Sequence, residues 1–426
     1  MLWQIELLYF ILMIGTFVLL LLCFKVPAGL SLMAAAIIGA LASALISRTD
    51  LSIRHFVEGG FGYFDTIIVV TTSMIFMVSL DRIGALDYFS AFLLKNFYKA
   101  PSLLLISFMF ILMFPGMITG SSLSSVVCSG ALVAPIMIKM GIPKAKTGAI
   151  VAFGAVFGMI APPINIPVMV ICDVVDIPYI GFVWPLLVLV IPLAIFTVLF
   201  LGLKHVKKIN LEAMKEVINF DILKEFKWTV SLPIIVLVAL IIAQGVFPKI
   251  FGSLGMPLIF VIATIITFLI GKKVNVLRTI KDGVARSFPA IALLIGVGMF
   301  VQIISLNGVR GYFVINALSL PSFWQYLSMA LATPIFGGIS AFGSASIFGG
   351  PYVMALISLN EIVVASSLSL LAGLGEFLPP TAMSATFASK IVNEKNYFSI
   401  TKEALVPLLV CLGYAMFFII VIARIW

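Results

Sequence analysis

Long apolar runs separated by short polar stretches set the rhythm of this chain. Runs of roughly 17–25 apolar residues fit a hydrocarbon core of about 30 Å. In the first half they predict spans at 2–24, 26–47 and 63–80, two apolar arms at 101–118 and 123–139, an interrupted span at 148–176 and a span at 180–203. In the second half they predict spans at 228–248, 253–271 and 288–305, arms at 322–339 and 347–358, an interrupted span at 362–391 and a span at 402–424. The alternating segments of about ten residues that mark a membrane β-barrel are absent. The first run has no basic flank and no small-residue cleavage site, so it reads as a retained span rather than a signal peptide.

Between the halves lies "KHVKKINLEAMKEVINFDILKEFK", residues 204–227, with apolar residues at helical spacing and mixed charges. It predicts an amphipathic linker helix lying along the membrane interface. The expected fold class is an all-α polytopic membrane protein built from two repeats. The first repeat is 1–203, with scaffold helices in 2–80, a hairpin at 101–139 and a broken helix at 148–176. The second is 228–426, with scaffold helices in 228–305, a hairpin at 322–358 and a broken helix at 362–391. Gly120-Ser121 precedes Pro162-Pro163 in the first half, and Gly343-Ser344 precedes Pro379-Pro380 in the second. Each pair of arms thus leads into a span broken by a double proline.

Composition narrows the class. Hydrophobic residues make up 62% of the 426 and charged residues only 10%, which excludes a soluble globular protein. The net charge of +9 is a topology signal rather than a sign of nucleic acid. If each pair of arms returns to the side it came from, every half crosses the membrane an odd number of times and the second repeat is inverted. With 204–227 in the cytoplasm, only five of the 26 Lys and Arg lie outside: Arg48, Arg54, Lys249, Arg310 and Arg424. That bias obeys the positive-inside rule and turns both chain ends outward. Arms that cross fully twice give the same parity, so charge alone does not fix their depth.

Candidate chemistry sits at four breaks in two matched pairs: "GMITGSSLSS" (116–125) with "GMIAPPINIP" (158–167), and "GGISAFGSAS" (337–346) with "GLGEFLPPTA" (373–382). Unwound backbone survives at membrane depth only when buried in protein or lining a cavity. Prolines remove amide donors, which predicts unpaired carbonyls near Ala161, Ile164 and Leu378. Ser121, Ser122, Asn165, Ser344, Ser346 and Thr381 place neutral oxygens beside them. Five or six neutral oxygens suit Na⁺, with tip one paired to break one and tip two to break two. Gly116 and Gly120 also form a small-xxx-small packing motif, but one such motif does not explain two matched pairs of breaks. Glu376 is the deepest carboxylate; it is open to carrying a proton, accepting from freed amides or locking the fold. Asp65 reads as a cap, and Asp173 and Asp176 as outer-interface residues. His55 and His205 fall in interfacial segments. Cys23, Cys128, Cys172 and Cys411 are scattered singly, without metal or disulfide spacing. Enzyme signatures are absent: no GxSxG, HExxH or Walker loop occurs, and no enzyme is expected. A channel would show a continuous polar lining, and a scaffold has no reason to repeat polar breaks.

The stretch "GSSLSSVVCSGALVAPIMIKMG" followed by "GMIAPPINIP" resembles the large, DctM-like membrane subunit of tripartite ATP-independent periplasmic (TRAP) transporters, in the ion transporter superfamily. "AFGSAS" and "GEFLPPTA" match the second half more loosely. The resemblance implies a Na⁺-driven elevator in the bacterial cytoplasmic membrane, importing an organic acid. It also implies two partners, a small four-helix membrane subunit and a periplasmic substrate-binding protein. Carried over residue by residue, one sodium site takes Gly120, Ser121, Ser122, Ala161 and Asn165, and the other takes Gly343, Ser344, Ser346, Leu378 and Thr381. The substrate would lie between the tips, against Ser122, Ser124, Asn165, Ser344, Ser346 and Thr381. The rival expectation is a stand-alone sodium- or proton-coupled di- or tricarboxylate carrier of the same superfamily.

Overall fold

The computed structural model describes residues 2–46, 53–206, 214, 218–225, 228–247, 254–270 and 274–426. Among these residues the chain is helical and contains no strand. Among the described residues eight helices are long and apolar enough to cross a membrane, and each falls on a span or arm that the hydropathy pattern predicts. Half of the expected linker helix, 204–227, lies outside the described residues, as do Arg48 and Lys249.

The first half opens with α1 (Leu2–Leu22), α2 (Ala28–Ile46), α3 (Ile53–Gly62) and α4 (Phe64–Arg82). A connector, α5 (Ala85–Phe97), starts after Gly84, whose positive φ of 74° turns the chain out of α4. The hairpin follows: α6 (Pro101–Thr119) descends, and α7 returns through Ser122–Ser125, a π turn at Val126–Gly130 and Ala131–Lys139. The broken span consists of α8 (Lys144–Ile160) and α9 (Ile166–Val175), and α10 (Val183–Gly202) closes the half.

The second half runs through a similar series, with one long helix where the first half has α3 and α4. It has α11 (Leu232–Val246), α12 (Gly255–Ile270), α13 (Val276–Leu306), the connector α14 (Val309–Ser319) and the descending arm α15 (Ser322–Gly337). The returning arm α16 passes through Ala341–Ser344, a π turn at Ala345–Gly349 and Gly350–Ala355. The broken span is α17 (Glu361–Leu374), a tight turn at Gly375–Phe377 and α18 (Met383–Ile391), and the last span, α19, covers Tyr397–Ile425. The Pro162–Pro163 and Pro379–Pro380 bonds are both cis.

Two departures from the predicted elements have simple causes. The span expected at 288–305 is a 31-residue helix, α13, that starts at Val276. At 1.5 Å per residue it is roughly 46 Å long, well beyond the hydrocarbon core. Hydropathy misses its first turns because they carry Arg278, Lys281, Asp282 and Arg286. Capping and ion pairs hold those turns helical. The Asn275 side chain accepts from the Arg278 amide at 3.0 Å. Arg82 of α4 donates to Thr279 Oγ1 at 2.7 Å and pairs with Asp282, and Asp81 lies 3.7 Å from Arg286. The second departure concerns register in the second hairpin. The turn occupies Gly338–Ser340, so Gly343 and Ser344 lie inside the returning arm. Ser340, not Ser344, is the counterpart of Ser121.

Packing divides the helices into two groups. In one, α13 lies against α2, α3 and α4, while α12 packs on α4 and α1 on α2. In the other, α8 and α17 form the centre. Every residue from Thr147 to Ile160 and from Val363 to Leu374 is buried. A helix that is apolar on all sides must be enclosed by others, and the hairpins, α10 and α19 enclose these two. The serines within α17 are neutralised locally: Ser366 and Ser367 donate to the carbonyls four residues back.

Candidate functional site

Each hairpin lies against the broken helix of its own half through a glycine contact. A Cβ on Gly158 would come within 2.3 Å of the Met113 carbonyl oxygen, and one on Gly116 within 2.8 Å of Gly158. In the second half a Cβ on Gly375 would meet Gly337 at 2.2 Å. These approaches bring each tip to its break, where one amide seals the junction. Ile164, just after the first proline pair, donates to the Met117 carbonyl at 3.3 Å. Thr381, just after the second pair, donates to the Gly338 carbonyl at 3.1 Å through its amide and 2.8 Å through its hydroxyl. The expected pairing of tip one with break one, and tip two with break two, is the one observed. The returning arms then cross over. The α7 π turn packs on α18, and the α16 π turn packs on α9, so the two halves interlock.

At the first junction, Gly120 adopts φ 64°, ending α6, and Ser121 starts the return as an N-cap, its hydroxyl accepting from the Ser124 amide at 3.5 Å. No hydrogen bond reaches the carbonyls of Ala161 or Ile164 among the described residues, as proline chemistry predicts. Asn165 is fully buried and already engaged. Its Oδ1 caps α9 by accepting from the Val168 amide at 2.9 Å. Its Nδ2 donates to the Ile160 carbonyl at 2.8 Å and to Ser369 Oγ in α17 at 3.0 Å. Both amide protons are therefore spent inside the protein, and Asn165 braces the break and ties it to the other half.

The second junction differs in detail. The Leu378 carbonyl, expected to lack a partner, accepts from the Ala382 amide at 3.0 Å. Ser344 is buried and donates to the Thr333 carbonyl at 2.7 Å, which staples the two arms together. The Gly343 amide donates to Ser340 Oγ at 3.1 Å. Glu376 is 5% exposed. It accepts a hydrogen bond from Ser384, and Ser122 of tip one lies close by, where the returning arm packs on α18.

The six residues expected to line one substrate wall face different neighbours. Ser124 lies 4.0 Å from Met74 Sδ of α4, and Ser344 is tied to Thr333. Ser346 is buried without a partner. It lines a cavity of about 10 Å³, room for roughly one water, shared with Val174, Ser305 and Arg310. Arg310, counted from the sequence among the outer charges, donates to the Val174 carbonyl of α9. Charge counting places Arg310 near an interface but says nothing of what its guanidinium reaches.

Residues 14–425 match the family described as tripartite ATP-independent periplasmic transporter, DctM component. The chain belongs to this family. It is thus a transporter component by descent, as the hairpin and double-proline wording suggests. Among solved structures, the YdaH transporter of Alcanivorax borkumensis has a similar fold, with a TM-score of 0.60 over 98% of each chain at 16% identity. No curated protein matches the chain.

In this DctM component, residues that sequence reasoning missed do much of the local work. Ser125 accepts from the Gly116 amide at 2.7 Å across the first hairpin. Ser369, Ser384 and Ser340 complete the contacts of Asn165, Glu376 and tip two. Only Ser340 had a readable signal, an N-cap residue directly before a helical run. The others are serines inside apolar helices, where spacing does not reveal the partner.

Proposed function

We propose that this chain is the large permease subunit of a tripartite transporter that imports a small organic acid together with Na⁺. The observation that carries the reading is the pair of junctions where an unwound, proline-broken backbone meets a hairpin tip inside the protein. The carbonyls of Ala161 and Ile164 on the break and the Ser121 and Ser122 hydroxyls on the tip supply neutral oxygens at one junction, which suit an alkali cation that must be released again. Thr381 and Ser340 supply hydroxyls at the second junction. Both fit Na⁺ as a co-transported ion rather than a resident metal.

The two packed groups fit a division into a fixed scaffold and a moving unit, joined by the connectors α5 and α14. Movement of the hairpins and broken helices past α4 and α13 would carry both junctions across the membrane, an elevator. The two repeats are inverted in this reading, both chain ends face outward, and the cytoplasmic membrane of a bacterium is the location. A small four-helix membrane subunit and a periplasmic binding protein complete the system. Arg310, beside the unpartnered Ser346 hydroxyl, supports an anionic cargo, because a guanidinium pairs well with carboxylate.

Uptake of a panel of radiolabelled mono- and dicarboxylates into proteoliposomes, with the small subunit and binding protein supplied, tests this. Uptake driven by an inward Na⁺ gradient, and not by K⁺, is expected. Uptake indifferent to the Na⁺ gradient would overturn the sodium coupling. Uptake without a binding protein would assign the chain to the stand-alone carriers instead.

A further inference from the structure

Glu376 is the point where the two junctions meet. It lies in the tight turn of the second break, yet one of its hydroxyl neighbours, Ser122, belongs to the first tip. The other, Ser384, opens α18 just beyond the second break and donates to Glu376 Oε2. Three elements from both halves therefore converge on one carboxylate that is 5% exposed. Its hydrogen-bond partner is the neutral Ser384 hydroxyl, Ser122 lies close by, and no Lys, Arg or His among the described residues stands opposite it. An ionised carboxylate in such surroundings is costly unless a cation accompanies it. The position is peculiar to the second half. Glu376 stands three residues before Pro379, where the first half has Met159 three residues before Pro162.

We propose that Glu376, Ser122 and Ser384 form a cation site that bridges tip one and break two, with the carboxylate as its anionic ligand. A hydroxyl that donates its proton to a carboxylate keeps lone pairs for a cation, so the observed hydrogen bond is compatible with occupancy. All three ligands are hard oxygens, the kind that bind Na⁺ rather than soft metals. An ion held there fastens the returning arm of the first hairpin to the second broken helix. Both halves then respond to one binding event. This inference rests on the sodium-coupled reading above and adds a ligand that the neutral junctions lack.

The test uses the purified full-length chain in detergent, with its thermal unfolding midpoint followed as NaCl replaces KCl at constant ionic strength. The wild type is expected to gain a saturable Na⁺-dependent rise in midpoint, since a ligand that binds only the folded state stabilises it. Glu376→Gln is expected to need roughly tenfold or more Na⁺ for half of that rise, because charge-assisted contacts are about twice as strong as neutral ones. Ser384→Ala is expected to show a smaller loss of the same kind. A Glu376→Gln curve that overlays the wild type would overturn the site and leave Glu376 as a structural brace, with the sodium reading intact. A wild type with no Na⁺ response would overturn both. Should the Gln variant fail to fold, Ser384→Ala decides alone, and an unchanged Na⁺ curve there sinks the proposal.

Discussion

At the first junction a left-handed glycine ends the descending arm, an asparagine caps the far side of the break, and all the chemistry is neutral. At the second, the turn is one residue longer, Thr381 clamps the Gly338 carbonyl twice, and a carboxylate sits in the break. Where Asn165 caps α9, the matching position before α18 is Ala382, with φ 40° and no capping side chain. The framework of glycine contact, double proline and sealing amide is common to both. The polar groups around it are not. A shared backbone with diverged side chains means that the two junctions need not bind the same thing with the same strength.

Breaking what is shared should have the largest effect. Gly158→Ala and Gly375→Ala each place a methyl against backbone at 2.3 Å and 2.2 Å. Each is expected to destabilise the protein by about 1–3 kcal/mol or more, as overpacking of rigid neighbours does. Thermal unfolding and folded yield in detergent check this, and a loss confined to one variant would contradict a common framework. Asn165→Ala comes next. It removes a helix cap, typically worth about 0.5–2 kcal/mol, and strands the Ile160 carbonyl. The same assay should show a drop of several degrees, and no drop would demote Asn165 from its bracing role. Ala382→Gly should move stability the opposite way, because a left-handed backbone costs a non-glycine residue roughly 1 kcal/mol. A lower midpoint in that variant would show that the Ala382 side chain matters more than its backbone.

The double change Ser121→Ala with Ser122→Ala sharpens the comparison with the least effect on the fold. Each neutral hydrogen bond contributes only about 0.5–1.5 kcal/mol, so yield should stay near that of the wild type while sodium dependence weakens. A variant that misfolds yet keeps its sodium response would favour packing as the role of the tip.

Much of this architecture is legible in the sequence, for reasons that also explain what is not. The eight long helices follow from apolar run length, and the double prolines mark both breaks, because a helix cannot pass through them. Helix α13 hides its first turns, since hydropathy registers Arg278 and Arg286 as loop while the Asn275 cap and the ties of Thr279, Asp282 and Arg286 to α4 keep those turns helical. The letters mislead at the second tip, because Gly343-Ser344 repeats Gly120-Ser121 without repeating the turn. Only the hydrogen bond from Gly343 to Ser340 shows where the arm begins. Asn165 was read as a ligand because its residue type suits one. Two of its three bonds are local, to Ile160 and Val168, and the third reaches Ser369, 204 residues away in the chain. The π turns at Val126–Gly130 and Ala345–Gly349 leave no letter pattern at all, although they sit where the halves cross.

Reversible sodium binding at the hairpin tips and proline breaks is the property on which the proposed function turns. Equilibrium binding of radiolabelled Na⁺ to the purified chain, beside the Ser121→Ala, Ser122→Ala double variant, measures it most directly. Saturable binding is expected that K⁺ does not displace and that weakens in the double variant while the protein stays folded. Absence of saturable binding, or binding unchanged by the loss of both hydroxyls, would contradict it.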